Sequence, residues 1–233
     1  MHRPRVILCY AMSTDGKISA ADGTGSAFTS RADRDRLDGV RAGVDLIVVG
    51  GETVRREDPP FALRSGPAVA ARLARGAAAH PDVCILTRNT HLPPGLRAFR
   101  QAGQRVLVAG PGPGAPLPSG TAARLERLVT PDPFDPSALL ADPALAGCNR
   151  VLVEGGGRVN AFFVEAGLVD EVLVTLSPVL LGGAEAPTPV AGVGLSLAGR
   201  FRLDLVSCEA AGSELFLHYR SRRVGQRGGE GGG

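Results

Sequence analysis

Three segments rich in glycine and polar residues each follow a short apolar run, and they are the first candidates for chemistry. They are Met12–Ile18, Gly50–Thr53 and Glu154–Arg158. The apolar runs are typical of buried strands, and ligands of open α/β sheets bind where strands end at their carboxyl side. Glycines admit a close backbone approach, and a helix N-terminus favours an anion. Together the three junctions predict a nucleotide site, although each alone is equally compatible with a structural turn.

Other kinds of site are not supported by the residue types and their spacing. Gly50–Thr53 has neither the GxGxxG spacing of a Rossmann loop nor the GK[ST] of a P-loop. The four cysteines form no CxxC pair, and the four histidines are scattered along the chain. We therefore expect no metal site and no histidine-based catalytic triad.

Single charged side chains are candidates of a second kind. The 26 basic side chains include one lysine, Lys17, and its retention among so many arginines suggests a specific role. Arg41 and Arg64 would each suit a phosphate group, which a guanidinium binds through paired hydrogen bonds. The alternative for Arg41 is an internal ion pair, and the alternative for Arg64 is a solvated surface charge.

The composition sets the class of protein. The chain has 233 residues, 44% of them hydrophobic and 21% charged, with a formal net charge of +3. These values exclude global disorder, and the scattered positive charge argues against a dedicated nucleic-acid binder. No apolar stretch approaches the ~18 residues of a membrane span. We expect a cytoplasmic protein with reduced cysteines.

The hydrophobic pattern predicts an α/β fold in which strands alternate with helices. It favours a mainly parallel central sheet with helices on both faces and a C-terminal antiparallel hairpin. Predicted strands cover 6–12, 45–50, 82–87, 105–109, 150–154 and 169–177, and the hairpin covers 200–209 and 213–220. Predicted helices cover 31–42, 52–56, 121–128, 136–145 and 158–166. We expect one domain over 1–223 and a flexible glycine-rich tail over 224–233.

Two local expectations concern the borders of these elements. Ser30 is expected to cap the first helix, with Asp33 as the acid of a capping box. Residues 57–81 include four prolines and are expected to form a long connection. Connections of that length are often functional.

Taken in order, several motifs resemble one known family. They are MSTDGKI at 12–18, VRAGVDLIVVGGETVRREDPP at 40–60, VLVEGGG at 151–157 and LVDEVLVTLSPVLLGG at 168–183. Over roughly residues 5–220 they resemble the reductase domain of bacterial riboflavin-biosynthesis deaminase–reductases and its stand-alone archaeal and fungal relatives. That family has the dihydrofolate-reductase-like fold. The chain has no HxE and no PCxxC motif, so the resemblance does not extend to a deaminase.

The resemblance implies a reductase that uses NADPH to convert the ribosyl group of a 5-amino-6-(5-phosphoribosylamino)pyrimidine to ribityl, with hydride passing to C1 of the opened sugar. The implied cofactor contacts are Ala11, Thr53, Glu57, Gly155, Gly156, Gly157 and Arg158. The implied substrate contacts are Ser26, Arg41, Phe61, Arg64 and Glu154. Arg88 is expected to bind the 2′-phosphate of NADPH, because of its charge and its position after the third strand. Members of the family are commonly homodimers, and we expect one here.

The catalytic group is expected to contain Lys17, Asp58 and Glu154. The heteroatom next to the reduced carbon needs a proton, and Lys17, Glu57 and Asp58 all remain open as its donor. Two departures from the family stand nearby. Glu57 replaces the usual aspartate, and Arg55–Arg56 replaces residues that are often apolar or small.

Three alternative functions stay open. The first is a same-fold NADPH-dependent reductase of another pterin- or pyrimidine-like substrate, because Asp33, Asp35 and Asp38 on the first predicted helix could include a pterin-binding acid. A true dihydrofolate reductase is disfavoured, because its tryptophan-containing motifs cannot exist in a chain without tryptophan. The second is a non-catalytic nucleotide-binding module, and the third is an unrelated α/β protein whose glycine junctions are only turns.

Overall fold

Nine strands form one continuous sheet in the computed structural model, which describes residues 3–22, 25 and 27–222. Their order across the sheet is β5-β4-β3-β2-β6-β1-β7-β9-β8. The strands are β1 (Arg5–Ser13), β2 (Leu46–Gly50), β3 (Asp82–Leu86), β4 (Arg105–Pro111), β5 (Arg124–Thr130), β6 (Arg150–Val153), β7 (Glu171–Ser177), β8 (Leu203–Ala211) and β9 (Glu214–Ser221). Strands β1 to β7 are parallel, and the β8–β9 hairpin adds an antiparallel edge. This confirms the predicted fold class. The predicted tail over 224–233 lies outside the described residues.

Helices cover both faces of the sheet. They are α1 (Arg31–Ala42), α2 (Gly51–Glu57), α3 (Gly66–Ala74), α4 (Pro136–Leu140) and α5 (Gly157–Glu165), with 3₁₀ turns at Arg97–Phe99 and Pro143–Leu145. One apolar layer packs α4 and α5 on Val6 and Leu8, and the other packs Val54 and Phe61 on Ile7. Adjacent residues of β1 thus face opposite layers, as strand geometry requires. Among the described residues, no helix has the length and apolarity needed to cross a bilayer.

Three predicted elements were wrong in kind or extent. The predicted helix over 121–128 is largely β5, because pairing with β4 along the whole strand outweighs the helical preference of RLERL. The predicted helix over 136–145 stops at Leu140, and a short 3₁₀ turn begins separately at Pro143. The connection 57–81 contains α3, whose start is capped by the Ser65 hydroxyl accepting from Ala68 N at 3.3 Å. The proline-rich composition concealed that helix.

The start of α1 differs from the predicted capping box. Ser30 caps the helix, because its hydroxyl accepts from Asp33 N at 3.2 Å. The reciprocal bond comes from β9: Ser30 N donates to Glu214 Oε1 at 2.8 Å. Asp33 is therefore not the acid of the capping box, and its carboxylate is left for other contacts.

The strand order reverses near the centre of the sheet. After β1 the chain moves outward through β2, β3, β4 and β5, then returns to insert β6 between β2 and β1. In a parallel sheet such a reversal opens a crevice outside the carboxyl ends of the strands. The site lies at this edge.

Candidate active site

A cleft of about 1100 Å³ opens at the carboxyl edge of the parallel strands. Its lining comes from the ends of β2 to β5, the segments that follow β2 to β6, residues of α1, and Cys9–Ala11 on β1. Ile18, Gly50–Thr53 and Glu154–Arg158 all belong to it. The structure therefore brings the second and third glycine-rich segments to one site, whereas the first contributes only its last residue, Ile18.

The glycine loop, Gly155–Gly157, joins β6 to α5 in the middle of the cleft. Gly50 N donates to Gly155 O at 2.7 Å, and Gly156 N donates to Thr53 Oγ1 at 3.1 Å. A side chain at Gly157 would collide with the Thr188 carbonyl oxygen. No side chain caps α5, so its first amide groups are open to an anionic ligand. Arg158, exposed at the start of α5, has no ion-pair partner among the described residues.

The β3 end of the cleft is defined by the guanidinium groups of Arg55 and Arg88, of which Arg88 is the more accessible. Arg55 reaches from α2 to the segment after β3, where it donates to Asn89 O at 3.1 Å. Arg88 pairs with Asp132 at 2.7 Å, and its side chain is 76% exposed. An ion pair so exposed is weak, because water screens it. An anionic ligand can therefore replace Asp132 as the partner of Arg88.

Arg41 and Glu154 form a buried ion pair in the wall of the cleft. Arg41 Nε lies 2.7 Å from Glu154 Oε1 and Nη2 lies 2.6 Å from Oε2, and each side chain is only 10% exposed. Arg41 Nη1 donates to Pro60 O at 2.8 Å, and the guanidinium carbon lies 5.3 Å from the centre of the Phe61 ring. Burial lowers the pKa of Arg41, but the Glu154 carboxylate outweighs it and raises that pKa. Of the two alternatives for Arg41, the structure shows the internal ion pair.

The α1 end of the cleft consists of Asp33, Arg36 and the Arg41–Glu154 pair, and Thr175 lies buried behind Asp33 and Arg36. The Thr175 hydroxyl donates to Asp33 Oδ1 at 2.6 Å and accepts from Arg36 Nη1 at 3.0 Å. Asp33 and Arg36 line the cleft from α1, and Thr175, on β7, is 1% exposed. Arg36, Arg41 and Glu154 are therefore engaged with protein groups, whereas Asp33 accepts a hydrogen bond from its neighbours at Oδ1.

The three candidate proton donors lie in different surroundings. Glu57 lines the cleft against Gly25, where an added Cβ would lie 2.6 Å from Glu57 Cδ, and desolvation raises the pKa of Glu57. Asp58 Oδ1 accepts from the backbone amide of Arg97 at 2.6 Å. Lys17 Nζ lies 3.3 Å from a backbone carbonyl oxygen. Among the described residues that line the cleft, Glu57 is present and Asp58 and Lys17 are not.

Of the remaining predicted site residues, some line the cleft and others lie outside it. Ala11 and Phe61 line the cleft, and Phe61 is 1% exposed beneath Arg41. Arg64 lies outside the cleft, with its side chain 51% exposed and a hydrogen bond from Nη2 to Arg34 O at 2.6 Å. Ser26 lies outside the described residues. In the described part of the chain, no group of three or more His, Cys, Asp or Glu side chains is placed to hold a metal ion.

Sequence reasoning missed three polar residues that line the cleft or support its wall. Arg36 is one arginine among many, and nothing in its neighbourhood distinguishes it. Thr175 carried a weak signal, because it is a hydroxyl within the otherwise apolar run of β7. Asn160 of α5 is fully buried and donates to Pro189 O at 2.7 Å, holding a loop against the helix.

The chain is similar to proteins of one family. The RibD C-terminal domain family matches residues 4–217. A 2,5-diamino-6-ribosylamino-4(3H)-pyrimidinone 5′-phosphate reductase of Methanothermobacter thermautotrophicus is 31% identical over 219 residues, which cover 93% of this chain and 98% of that protein. The reductase of the same name from Aquifex aeolicus is 30% identical over 225 residues, covering 94% and 97%.

Other relatives are longer than this chain. It spans 31% of the riboflavin biosynthesis protein PYRR, chloroplastic, of Arabidopsis thaliana, with 28% identity over 193 residues. Among solved structures, a deaminase/5-amino-6-(5-phosphoribosylamino)uracil reductase of Thermotoga maritima superposes with a TM-score of 0.78 and 24% identity, over 94% of this chain and 57% of that one. This likeness shows a common fold.

Proposed function

Because the chain belongs to the RibD C-terminal domain family, we propose that it reduces the ribosyl group of a phosphoribosylamino-pyrimidine to ribityl in riboflavin biosynthesis, with NADPH as reductant. Relatives of matching length are named as such pyrimidinone phosphate reductases. The observation that carries the proposal is a single cleft with two unlike ends. The β3 end and the glycine loop suit the phosphates of a dinucleotide, and the α1 end suits an uncharged ring.

The chain's residues fit NADPH. The glycine loop and the first amides of α5 would hold the pyrophosphate, and Arg55 and Arg88 would hold the 2′-phosphate. Thr53 fixes the loop through its bond from Gly156 N. When bound, NADPH supplies the hydride that reduces C1 of the opened sugar.

The protein's part in the reaction is to align the two rings and exclude water. The Arg41–Glu154 pair is held at both oxygens and three nitrogens, so it forms a stiff wall. Burial raises the pKa of the Cys9 thiol to about 12, so Cys9 brings no charge to the lining at neutral pH.

Glu57 is the residue we assign as proton donor. Hydride addition at C1 leaves a nitrogen or oxygen that takes up a proton. Glu57 lines the cleft, and desolvation raises the pKa of its carboxyl group above the ordinary value. The carboxylate of Asp58 and the ammonium of Lys17 are bonded to backbone groups outside the cleft lining.

The test is NADPH oxidation by the purified protein with the deaminated and the undeaminated phosphoribosylamino-pyrimidine. We expect turnover that declines as pH rises through the raised pKa of Glu57, since only the protonated acid donates. Glu57→Gln should reduce kcat about 100-fold and remove that pH dependence, whereas Glu165→Gln, an exposed carboxylate on α5, should do neither.

Two results would count against the proposal. An unchanged pH profile in Glu57→Gln would remove Glu57 as the donor. Bound NADPH without oxidation by either pyrimidine would favour a same-fold reductase of another substrate or a non-catalytic binding module.

We also propose a homodimer formed through the outer hairpin. The β8 strand is the edge of the sheet, and it and the segment before it expose many apolar side chains. These include Leu195, Leu197, Leu203, Leu205 and Val206. Sedimentation velocity should show a dimer that Leu205→Arg converts to monomer, and a monomeric unmodified chain would contradict this.

A further inference from the structure

The carboxylate of Asp33 does not cap the start of α1, although it occupies the helical position from which an acid normally does so. An acid at the third helical position commonly accepts from the amide of the N-cap residue. Here Ser30 N donates to Glu214 Oε1 at 2.8 Å and Ser30 Oγ donates to Glu214 Oε2 at 2.5 Å. Glu214 therefore completes the cap, and Asp33 is directed to the cleft.

Hydrogen bonds orient the Asp33 carboxylate and leave part of its acceptor capacity available. Arg36 must donate to Thr175 Oγ1, so the Thr175 hydroxyl proton points to Asp33 Oδ1. Arg36 lies over the Phe216 ring at 4.8 Å and donates to Leu217 O at 3.4 Å. Among the described residues, Asp33 Oδ2 has no hydrogen bond. The carboxylate thus keeps acceptor sites that face the cleft.

The surroundings of Asp33 suit a flat heterocycle. Leu37 and Cys9–Ala11 line the cleft beside it. Burial first, and then nearby carboxylates that include Glu154 and Asp33, raise the pKa of Cys9 to about 12. The Asp33 carboxylate thus faces a part of the cleft lined by Leu37 and the neutral Cys9 thiol, where hydrogen bonds to it are strong.

We propose that Asp33 recognises the substrate base by accepting hydrogen bonds from N3–H and the 2-amino group of a 2-amino-4-oxopyrimidine, with Thr175 as a positioning residue. This inference rests on the proposed function and specifies its substrate. The two neighbouring donors match the two oxygens of a carboxylate. In the deaminated base, N3–H lies between two carbonyl oxygens, so the second carboxylate oxygen meets an acceptor and is repelled. Asp33 therefore makes the chain a reductase of the undeaminated base.

The test compares kcat/KM for 2,5-diamino-6-(5-phosphoribosylamino)-4(3H)-pyrimidinone and 5-amino-6-(5-phosphoribosylamino)uracil, followed by the loss of NADPH absorbance. The unmodified chain should prefer the 2-amino base about 10- to 100-fold, the discrimination of one good bidentate contact. Asp33→Asn should bring the preference close to unity, because an amide can pair with N3–H and a neighbouring carbonyl. Asp35→Asn, on the exposed side of the same helix, should keep it.

Thr175 supplies a second, independent variant. Thr175→Val should reduce the preference less than Asp33→Asn, through KM of the 2-amino base, and Thr175→Ser should restore it. A role only in folding would lower activity with both pyrimidines equally.

The failures are distinguishable. Reduction of the uracil with equal or greater efficiency by the unmodified chain would overturn the inference and leave the reductase function standing. An Asp33→Asn variant with an unchanged preference would do the same. Reduction of neither pyrimidine would overturn the proposed function, and this inference with it.

Discussion

The β3 end and the α1 end of the cleft both contain arginines, but the two ends differ in burial and therefore in what their arginines can do. Arg88 is 76% exposed and its partner Asp132 is 52% exposed, whereas Arg41 and Glu154 are each 10% exposed. Water competes for the first pair, so a ligand can displace it at little cost. The second pair cannot be opened without leaving a buried charge. The same residue type is thus accessible to a ligand at one end and part of the scaffold at the other.

The Glu154→Ala variant tests this difference in burial, and we expect it to have the largest effect on stability. It leaves the buried Arg41 guanidinium without its carboxylate, and removing one partner of a buried pair costs about 3–5 kcal/mol. We expect a loss of this size in the free energy of unfolding, measured by urea denaturation, together with loss of turnover.

Asp132→Ala is the matched control at the β3 end. Its pair with Arg88 is exposed, so the free energy of unfolding should change by no more than about 1 kcal/mol. Equal losses in the two variants would show that burial does not separate the two ends.

Much of the fold could be predicted from the sequence, because buried parallel strands are continuous apolar runs. Runs such as Leu46–Gly50 and Asp82–Leu86 fall within the predicted ranges. The exception, β5, is an edge strand whose RLERLVT sequence alternates poorly, and its pairing with β4 is a long-range property. Local propensity could not show that pairing.

The candidate site was predictable at its glycine junctions, but the pairing of its charged side chains was not. Gly155–Gly157 is recognisable in the sequence because three glycines directly follow a predicted strand, and the structure places them in the cleft. Arg41 and Glu154 are 113 residues apart, so only the folded chain shows that each is the other's partner. The release of Asp33 from the cap likewise depends on Glu214, far away in the sequence.

A smaller effect should appear in the choice of dinucleotide at the β3 end. Arg88→Ala and Arg55→Ala each remove a cation next to the site assigned to the 2′-phosphate, so the preference for NADPH over NADH should fall about tenfold. Dissociation constants for both dinucleotides measure this. Arg100→Ala, which is exposed outside the cleft lining, should leave both constants unchanged. A loss of affinity equal for NADPH and NADH would place the 2′-phosphate elsewhere.

The smallest effect is expected outside both ends, at Asp15 in the loop after β1. Hydrogen bonds from Ser13 Oγ and from the amides of Leu181 and Gly182 lower the pKa of Asp15 to about 2. The unfolded value is about 3.9, so this contribution to stability is present above pH ~4 and is lost as pH falls toward ~2. Amide hydrogen exchange should therefore show that protection of Leu181 and Gly182 declines over this range.

The Asp15→Asn variant tests whether the hydrogen bonds of Asp15 affect the cleft. The variant cannot titrate, so the protection of the Leu181 and Gly182 amides should be low and independent of pH in that range. NADPH affinity at neutral pH should not change, because Asp15 does not line the cleft. A lower affinity would show that the loop after β1 supports the cofactor site, and the contrast between the two ends would then have to include a third region.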